Sequence, residues 1–280
     1  MDGIILVNKP QGFTSHDLVM KARRALGTSK IGHTGTLDPD AEGLMMLVVG
    51  KATKILPYIA IHDKQYLATL LLGTKTDTLD TAGTVLETRE VRDYSDEEIR
   101  AVLDSFLGPQ KQVPPMYSAK KVNGKKLYEL ARHNVEIERE PVDIEIKSIE
   151  LVSHEGSRFT FRTEVSSGTY IRVLCSDLAE RLGTIGCMAS LVRESIDRFH
   201  LEDACTLEEL AEGNYQLLST YDVLYQYPYC ELDELADVYN GKPLQLDTKY
   251  DFVFITSEKK IIAAYERGAN GLFYCRRGLW

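Results

Sequence analysis

Apolar and polar positions fall into short, distinct blocks along this chain. Ile4-Ile5-Leu6-Val7 is a continuous apolar run closed by Asn8-Lys9-Pro10-Gln11-Gly12, the pattern of a short buried strand ending in a turn. Leu18, Val19, Ala22 and Leu26 recur at helical spacing behind Ser15, a capping residue type, and stop at Gly27. Leu44-Met45-Met46-Leu47-Val48-Val49 predicts a second buried strand, followed by a helical piece around Ala52–Ile55 that ends near Pro57. Residues 65–72 have strand composition up to Gly73, and 74–83 read as a loop or hairpin turn. Ser95-Asp96-Glu97-Glu98 is a capping box opening a helix through Ile99, Val102, Leu103 and Phe106 to Gly108.

Residues 110–117 carry prolines and are expected to be extended. Asn123-Gly124 signals a tight turn, with a short helix over Lys125–Arg132 behind it. Val142, Ile144 and Ile146 alternate, and so do Phe159, Phe161, Thr163 and Val165, which predicts a hairpin. Ile171, Leu174, Leu178 and Leu182 return to helical spacing, and Thr206-Leu207-Glu208-Glu209 is another capping box. A short helix over Leu232–Tyr239 and two short strands, Phe252–Ile255 and Ile261–Tyr265, complete the chain. Irregular alternation with hairpin pairs predicts an α+β fold on a mixed, mainly antiparallel sheet, not a doubly wound parallel one.

The 280 residues suffice for one large domain with a small second one; the charge shift and Tyr227-Pro228-Tyr229 put the boundary near 230, giving 1–230 and 231–280. Composition is ordinary, 44% hydrophobic and 27% charged, with no apolar run of membrane-spanning length. The N-terminus lacks the basic and long apolar regions of a signal peptide, so a cytoplasmic location is expected. Five scattered cysteines and six histidines show no ligand spacing, which speaks against a disulfide framework or a metal site. The formal charge of −9 is uneven. Residues 201–280 hold 7 basic and 14 acidic side chains, whereas 109–139 hold 7 basic and 3 acidic ones. A polyanionic partner is restricted in where it docks, but not excluded.

No dinucleotide or phosphate-loop glycine motif and no nucleophile elbow is present. Polar clusters beside apolar strands remain: 8–15, 32–43, 64–66 and 166–172. The second holds one carboxylate, Asp38, in a glycine-bounded loop, with Pro39 restricting its backbone. Such loops feeding strands commonly carry catalytic groups. A buried aspartate keeps its charge only when paired, and Arg172 is a suitable partner.

In combination, Asn8-Lys9-Pro10-x-Gly12-x-Thr14-Ser15, Gly32-His33-Thr34-Gly35-Thr36-Leu37-Asp38-Pro39 and Ser167-Gly168-Thr169-Tyr170-Ile171-Arg172 resemble the motifs of the TruB family of tRNA pseudouridine synthases. Pro114-Pro115-x-Tyr117-Ser118-Ala119-x-Lys121 and Gly124-x-x-Leu127-Tyr128-x-x-Ala131-Arg132 look like the same family's central segment. The resemblance spans roughly residues 3–205. It implies the pseudouridine synthase fold and cofactor-free, metal-free isomerisation of uridine 55 in the T-loop of tRNA. Asp38 would be the essential carboxylate, attacking ribose carbon 1′ or uracil carbon 6, or abstracting a proton to give a glycal. Arg172 would orient it, and Tyr66, Tyr170 and Leu191 would enclose the flipped base. His33 would replace the extruded bases in the loop's stack. Lys9, counted with the substrate-binding residues, would support the loop from beneath. The insertion at about 109–139 would clamp the T-arm through Lys120, Lys121, Lys125, Lys126 and Arg132. The tail from 231 resembles a short, degenerate PUA-like module, its acidity a poor match for phosphate. A monomer without obligatory protein partner or membrane contact is expected. A catalytically silent tRNA-binding protein or folding chaperone is the rival reading. Two departures stand out: Ile185-Gly186-Cys187-Met188 replaces the usual small residue and Ala-His, and Asp197 stands where glycine is usual.

Overall fold

Strand β1 (Gly3–Lys9) leads into helix α1 (Ser15–Leu26) in this computed structural model, which describes residues 1–59, 63–118, 121–122, 125–127, 135 and 137–280. The cap of α1 is Thr14, not Ser15: its hydroxyl accepts from the Asp17 amide, and the Asp17 carboxylate accepts from the Thr14 amide. Ser15 is buried, donating to the Leu37 carbonyl at 3.0 Å and accepting from the Leu37 amide at 2.9 Å. The helix is thereby tied to the loop that carries Asp38.

That loop lies between β2 (Ile31–His33) and β3 (Glu42–Val49). Beyond its first residue β3 is buried throughout, because both of its faces are covered. Met45, Leu47 and Val49 join the core around α1, while Leu44, Met46 and Val48 join a second core on the opposite side. A 3-10 turn (Gly50–Ile55) follows, then α2 (Leu56–Ile59), which runs through Pro57 instead of stopping there. A proline in a first helical turn forfeits only an amide that has no partner in the helix.

Strand β4 (Lys64–Leu72) alternates strictly, with Lys64, Tyr66, Ala68, Leu70 and Leu72 turned inward. A small hairpin of β5 (Thr74–Thr76) and β6 (Val85–Thr88) follows, then the capped helix α3 (Asp96–Asp104). Strand β7 (Gly108–Gln112) occupies part of the stretch read only as extended. Lys121 and Val122 form β8 and pair with Lys125 and Lys126 of β9, so those two lysines lie in a strand and not in the expected helix. Lys120, Arg132 and the Asn123-Gly124 turn lie outside the described residues, as do the side chains of Lys121, Lys125 and Lys126.

The hairpin of β10 (Val142–Glu155) and β11 (Arg158–Val165) leads to helix α4 (Ile171–Arg181) and then to β12 (Gly186–Ile196). The main sheet has the order β1-β3-β12-β4-β11-β10-β7, with β2 beside β3 and β13 (Phe199–His200) beside β12. Its pairs are antiparallel except β3 with β12. No periodic signal marks β12, although it sits at the sheet's centre. Bulges between Met188 and Ser190 and between Arg193 and Ser195 shift its register twice, which erases the alternation. The turn from β12 to β13 explains one departure: Asp197 has φ +52, the left-handed conformation glycine adopts most easily, and its carboxylate accepts from the Tyr225 hydroxyl at 2.6 Å.

Helices α5 (Leu207–Glu212) and α6 (Thr220–Val223) lead to a second sheet, β14 (Tyr229–Glu231), β15 (Phe252–Ser257), β16 (Lys260–Arg267) and β17 (Phe273–Gly278), in that spatial order. The helix expected over 232–239 is confined to α7 (Ala236–Tyr239). One face of this sheet packs Phe254, Ile261 and Ala264 against Ile4, Leu6, Met46 and Val48. Among the described residues, no helix is long and apolar enough to cross a membrane.

The parallel contact of β3 with β12 is unusually close. Gly43 has φ +110, and a Cβ there would lie 2.4 Å from the Arg193 carbonyl oxygen and 2.7 Å from its nitrogen. Gly43→Ala is expected to cost about 2 kcal/mol or more, since it combines a strained φ with a backbone clash. Urea unfolding should show a lower midpoint at unchanged slope; an unshifted midpoint would mean that the two strands part at no cost.

Candidate active site

The loop between β2 and β3 is held from several sides before its carboxylate does anything. Ser15 fixes Leu37, the Ala41 amide donates to the Asp38 carbonyl at 3.1 Å, and the Gly12 amide donates to the Pro39 carbonyl at 2.9 Å. Lys9 is fully buried below it, its ammonium donating to the carbonyls of Pro10, Pro39 and Ala41. Burial pulls the Lys9 pKa down to about 8, so three carbonyl dipoles, with nearby carboxylates, keep a protonated amine in an apolar place.

Above the loop is a cavity of about 390 Å3, lined by residues 33–38, Tyr66, Leu191, Arg193 and residues 166–172. The Asp38 side chain is about one-third exposed to it. Arg172, in the first turn of α4, is nearly inaccessible and meets Asp38 at two points, Nε to Oδ2 at 2.8 Å and Nη2 to Oδ1 at 3.2 Å. Two further donors are taken, Nη1 by the Thr78 carbonyl at 2.9 Å and Nη2 by the Tyr117 carbonyl at 2.7 Å. A planar fork bound at so many points cannot swing away. Burial pushes the Asp38 carboxyl above the usual aspartate value; Arg172 pulls it back, and a second carboxylate, Asp80, pushes it up again.

The walls come from three elements. Tyr66 on β4 faces inward and is buried, and Leu191 on β12 stands one strand over, opposite Ala68. Tyr170 precedes α4, its backbone clamped both ways by the buried Gln112: the Tyr170 amide donates to Oε1 at 2.7 Å, and Nε2 donates to the Tyr170 carbonyl at 3.1 Å. His33 is half-buried at the edge, its Nδ1 accepting from the Gly35 amide at 3.4 Å. Burial lowers its pKa, so the ring is neutral at pH 7.

The structure thus brings Asp38, Arg172, Tyr66, Tyr170, Leu191 and His33 around one cavity. Lys9 is not among them: its ammonium is spent on loop carbonyls and does not line the cavity, which makes it a support and not a substrate contact. Three contributors escaped the sequence reading, and a fourth, Lys64, entered it only as part of the polar cluster at 64–66. Arg193 is buried, donating through Nε to the Leu44 carbonyl at 2.7 Å and through Nη2 to the Gly35 carbonyl at 3.4 Å. Lys64 is buried on the cavity wall, its pKa lowered to about 8 by burial and by Arg193; its inward position two residues from Tyr66 was the available signal. Asp80 lies 3.7 Å from Arg172 Nε on a loop stitched to β12, where Met188 donates to the Leu79 carbonyl and Thr81 to the Met188 carbonyl. Gln112 sits in a strand that had no periodicity to mark it.

Residues 23–171 match the family model of the TruB family pseudouridylate synthase (N terminal domain). The chain belongs to the TruB family. A tRNA pseudouridine synthase B of Mesoplasma florum is 37% identical over 280 residues, covering 99% of this chain and 97% of its own. One of Clostridium kluyveri is 42% identical over 272 residues, covering 96% and 93%. Solved structures with the same fold include a Cbf5-Nop10-Gar1 complex, with TM-score 0.73 and 24% identity over 95% of this chain and 78% of that one. An H/ACA ribonucleoprotein bound to a substrate RNA gives a TM-score of 0.70 at 22% identity, with the same coverage. The enzyme is a pseudouridine synthase, and the α+β fold expected from the alternation of strands and helices is the one observed.

Replacing Lys9 by methionine keeps the packed stem but strands three carbonyls. The TruB-family loop is expected to lose about 1–3 kcal/mol of stability, with kcat falling while KM is nearly held. Urea melts and initial rates check this; wild-type values for both would remove Lys9 from the loop's support.

Proposed function

We propose that this enzyme converts uridine 55 in the T-loop of tRNA to pseudouridine, acting without a cofactor through Asp38 on a flipped-out base. The observation that carries the reading is the two-point Arg172–Asp38 pair opening into a cavity walled by aromatic and apolar side chains. The names of the relatives support tRNA as the substrate.

The reaction breaks the bond from ribose carbon 1′ to uracil nitrogen 1 and forms one from carbon 1′ to carbon 5. Carbon 5 gives up its proton and nitrogen 1 gains one, so no electron and no atom is left over. Arg172 keeps Asp38 ionised and aimed at the nucleotide. Tyr66 and Tyr170 stack against the extruded uracil, Leu191 keeps water off it, and neutral His33 fills its place in the loop, which offsets the cost of unstacking. The lysines around 120–126 hold phosphates of the T-arm, a contact that adds affinity without reading sequence. The enzyme works as a cytoplasmic monomer and needs no partner protein.

The deciding test uses unmodified tRNA transcript tritiated at uracil carbon 5. Wild-type enzyme should release tritium and Asp38→Asn should fall by about four orders of magnitude, with wild-type tRNA affinity. Binding without release by the wild type would leave a silent tRNA-binding protein or chaperone.

Because the working form of Asp38 is ionised, activity is lost as pH falls through its pKa. That pKa is raised, so the acid limb of kcat/KM is expected above the ordinary value of 3.8; a limb at or below it would remove burial as the dominant influence. Neutralising Lys120, Lys121, Lys125 and Lys126 together should flatten the slope of log K against log salt by about 3, and an unchanged slope would sink the clamp.

A further inference from the structure

We propose that a second cavity, at the seam between the two sheets, binds one unpaired nucleotide through its phosphate and its base. The cavity measures about 520 Å3 and lies between the 3-10 turn after β3, the start of the chain, and β16 with the last residues. This size is typical of small-molecule sites. Lys51 and Ala52 on its wall stand at the opposite end of β3 from the Asp38 loop, a strand of 8 residues or roughly 25 Å. The two cavities therefore hold separate nucleotides.

Three lysines, Lys51, Lys259 and Lys260, line it. Among the described residues none of the three has an ion-pair partner, whereas Lys242, Arg267 and Arg276 of the same acidic segment are each paired. Unneutralised lysines gathered on a concave wall of a chain of net charge −9 are a local anion site against the overall field. The carboxylate on the lining, Asp2, already accepts from the Lys51 amide at 2.6 Å.

An aromatic corner completes the wall. The rings of Tyr239 and Trp280 meet edge to face, 5.5 Å apart at 81°, though each residue is more than two-fifths exposed. The indole is held there firmly. It lies so close over Gly278 that a Cβ would fall 2.3 Å from it, and Lys54 donates to the carbonyls of Gly278 and Trp280. Glu258 and Lys259, the two residues that turn β15 into β16, both have left-handed φ without being glycine, +49 and +57. Positive φ at both central residues is what the favoured two-residue hairpin turn requires, and this turn delivers two of the lysines to the cavity. Phosphate alone needs no aromatic corner, and a run of acidic side chains brings no planar ring to fill one. A nucleotide satisfies both halves, since every base has a face to stack.

Nucleotide binding does not depend on the proposed function, but its source in an RNA strand does. Trp280 is the chain's one tryptophan, so its fluorescence reports on this cavity. The full-length protein is titrated with CMP, AMP, inorganic phosphate and an unpaired RNA pentamer. Saturable quenching by CMP or AMP, and not by phosphate alone, is expected. The double variant Lys51→Gln, Lys260→Gln should bind about tenfold more weakly, and Tyr239→Ala should also lose affinity. Both should keep the wild-type melting curve and the wild-type rate on an isolated stem-loop substrate. Displacement of CMP by tRNA assigns the site to an RNA strand, and saturable binding that tRNA leaves untouched assigns it to a free nucleotide. No saturable change with any nucleotide, or equal affinity in both variants, would overturn the inference. An enzyme that forms pseudouridine yet shows no such binding would sink this site alone; binding without pseudouridine formation would sink only the proposed function.

Discussion

The Arg172–Asp38 pair constrains more of this molecule than any other contact. A carboxylate and a guanidinium taken largely out of water lose hydration worth several kcal/mol per ion, and recover it only with good geometry and further hydrogen bonds. The chain meets that condition by importing acceptors from distant segments: Thr78 from the loop behind β5, Tyr117 from the start of the insertion, and Asp38 from the loop ahead of β3. The pair is thus the point where three otherwise separate loops are fixed to one helix. Removing the arginine would leave Asp38 and Asp80 facing each other with no cation between them.

Those loops are held in turn by the centre of the sheet. Strand β12 pairs with β4 on one side and β3 on the other, and its Met188 is stitched to the loop that carries Asp80. At the β3 contact, Gly43 lets the Arg193 backbone come close while the Arg193 side chain reaches the carbonyls of Leu44 and Gly35. One strand therefore sets the distance between the Tyr66 wall and the Asp38 loop. The close approach at Gly43 belongs to the site as much as to the fold.

What the sequence disclosed follows from how each element is stabilised. Strands β10 and β11 show their alternation because one face is covered, and the capping boxes at Ser95 and Thr206 show because their hydrogen bonds are local. Strand β12 was silent because two bulges break its period, and β7 because Gly108 and Pro109 dilute its pattern. At the site, Asp38 and Arg172 were legible from motifs, but Arg193, Asp80 and Gln112 act through contacts across more than fifty residues, which no local spacing encodes. Lys9 shows the limit of residue type as a guide. By residue type alone a lysine in a turn reads as a solvated charge; the resemblance pointed to a support, and the three carbonyls around its ammonium show how it is made.

The charge distribution reconciles a net −9 chain with an RNA substrate. Negative charge is concentrated toward the C-terminus, where several acidic groups are neutralised in pairs such as Asp237 with Lys242 and Glu266 with Arg276. Positive charge near the active-site cavity is mostly built in: Arg172 and Arg193 are buried in fixed contacts, and Lys9 and Lys64, at about 8, stay protonated at neutral pH. Fixed cations around a low-dielectric cavity act on a nearby phosphate more strongly than solvated ones would, because little screening intervenes. A polyanion is then attracted to the surface around these fixed cations and repelled from the acidic remainder. The acidity that argues against nucleic acid in the totals thereby becomes a source of positional selectivity.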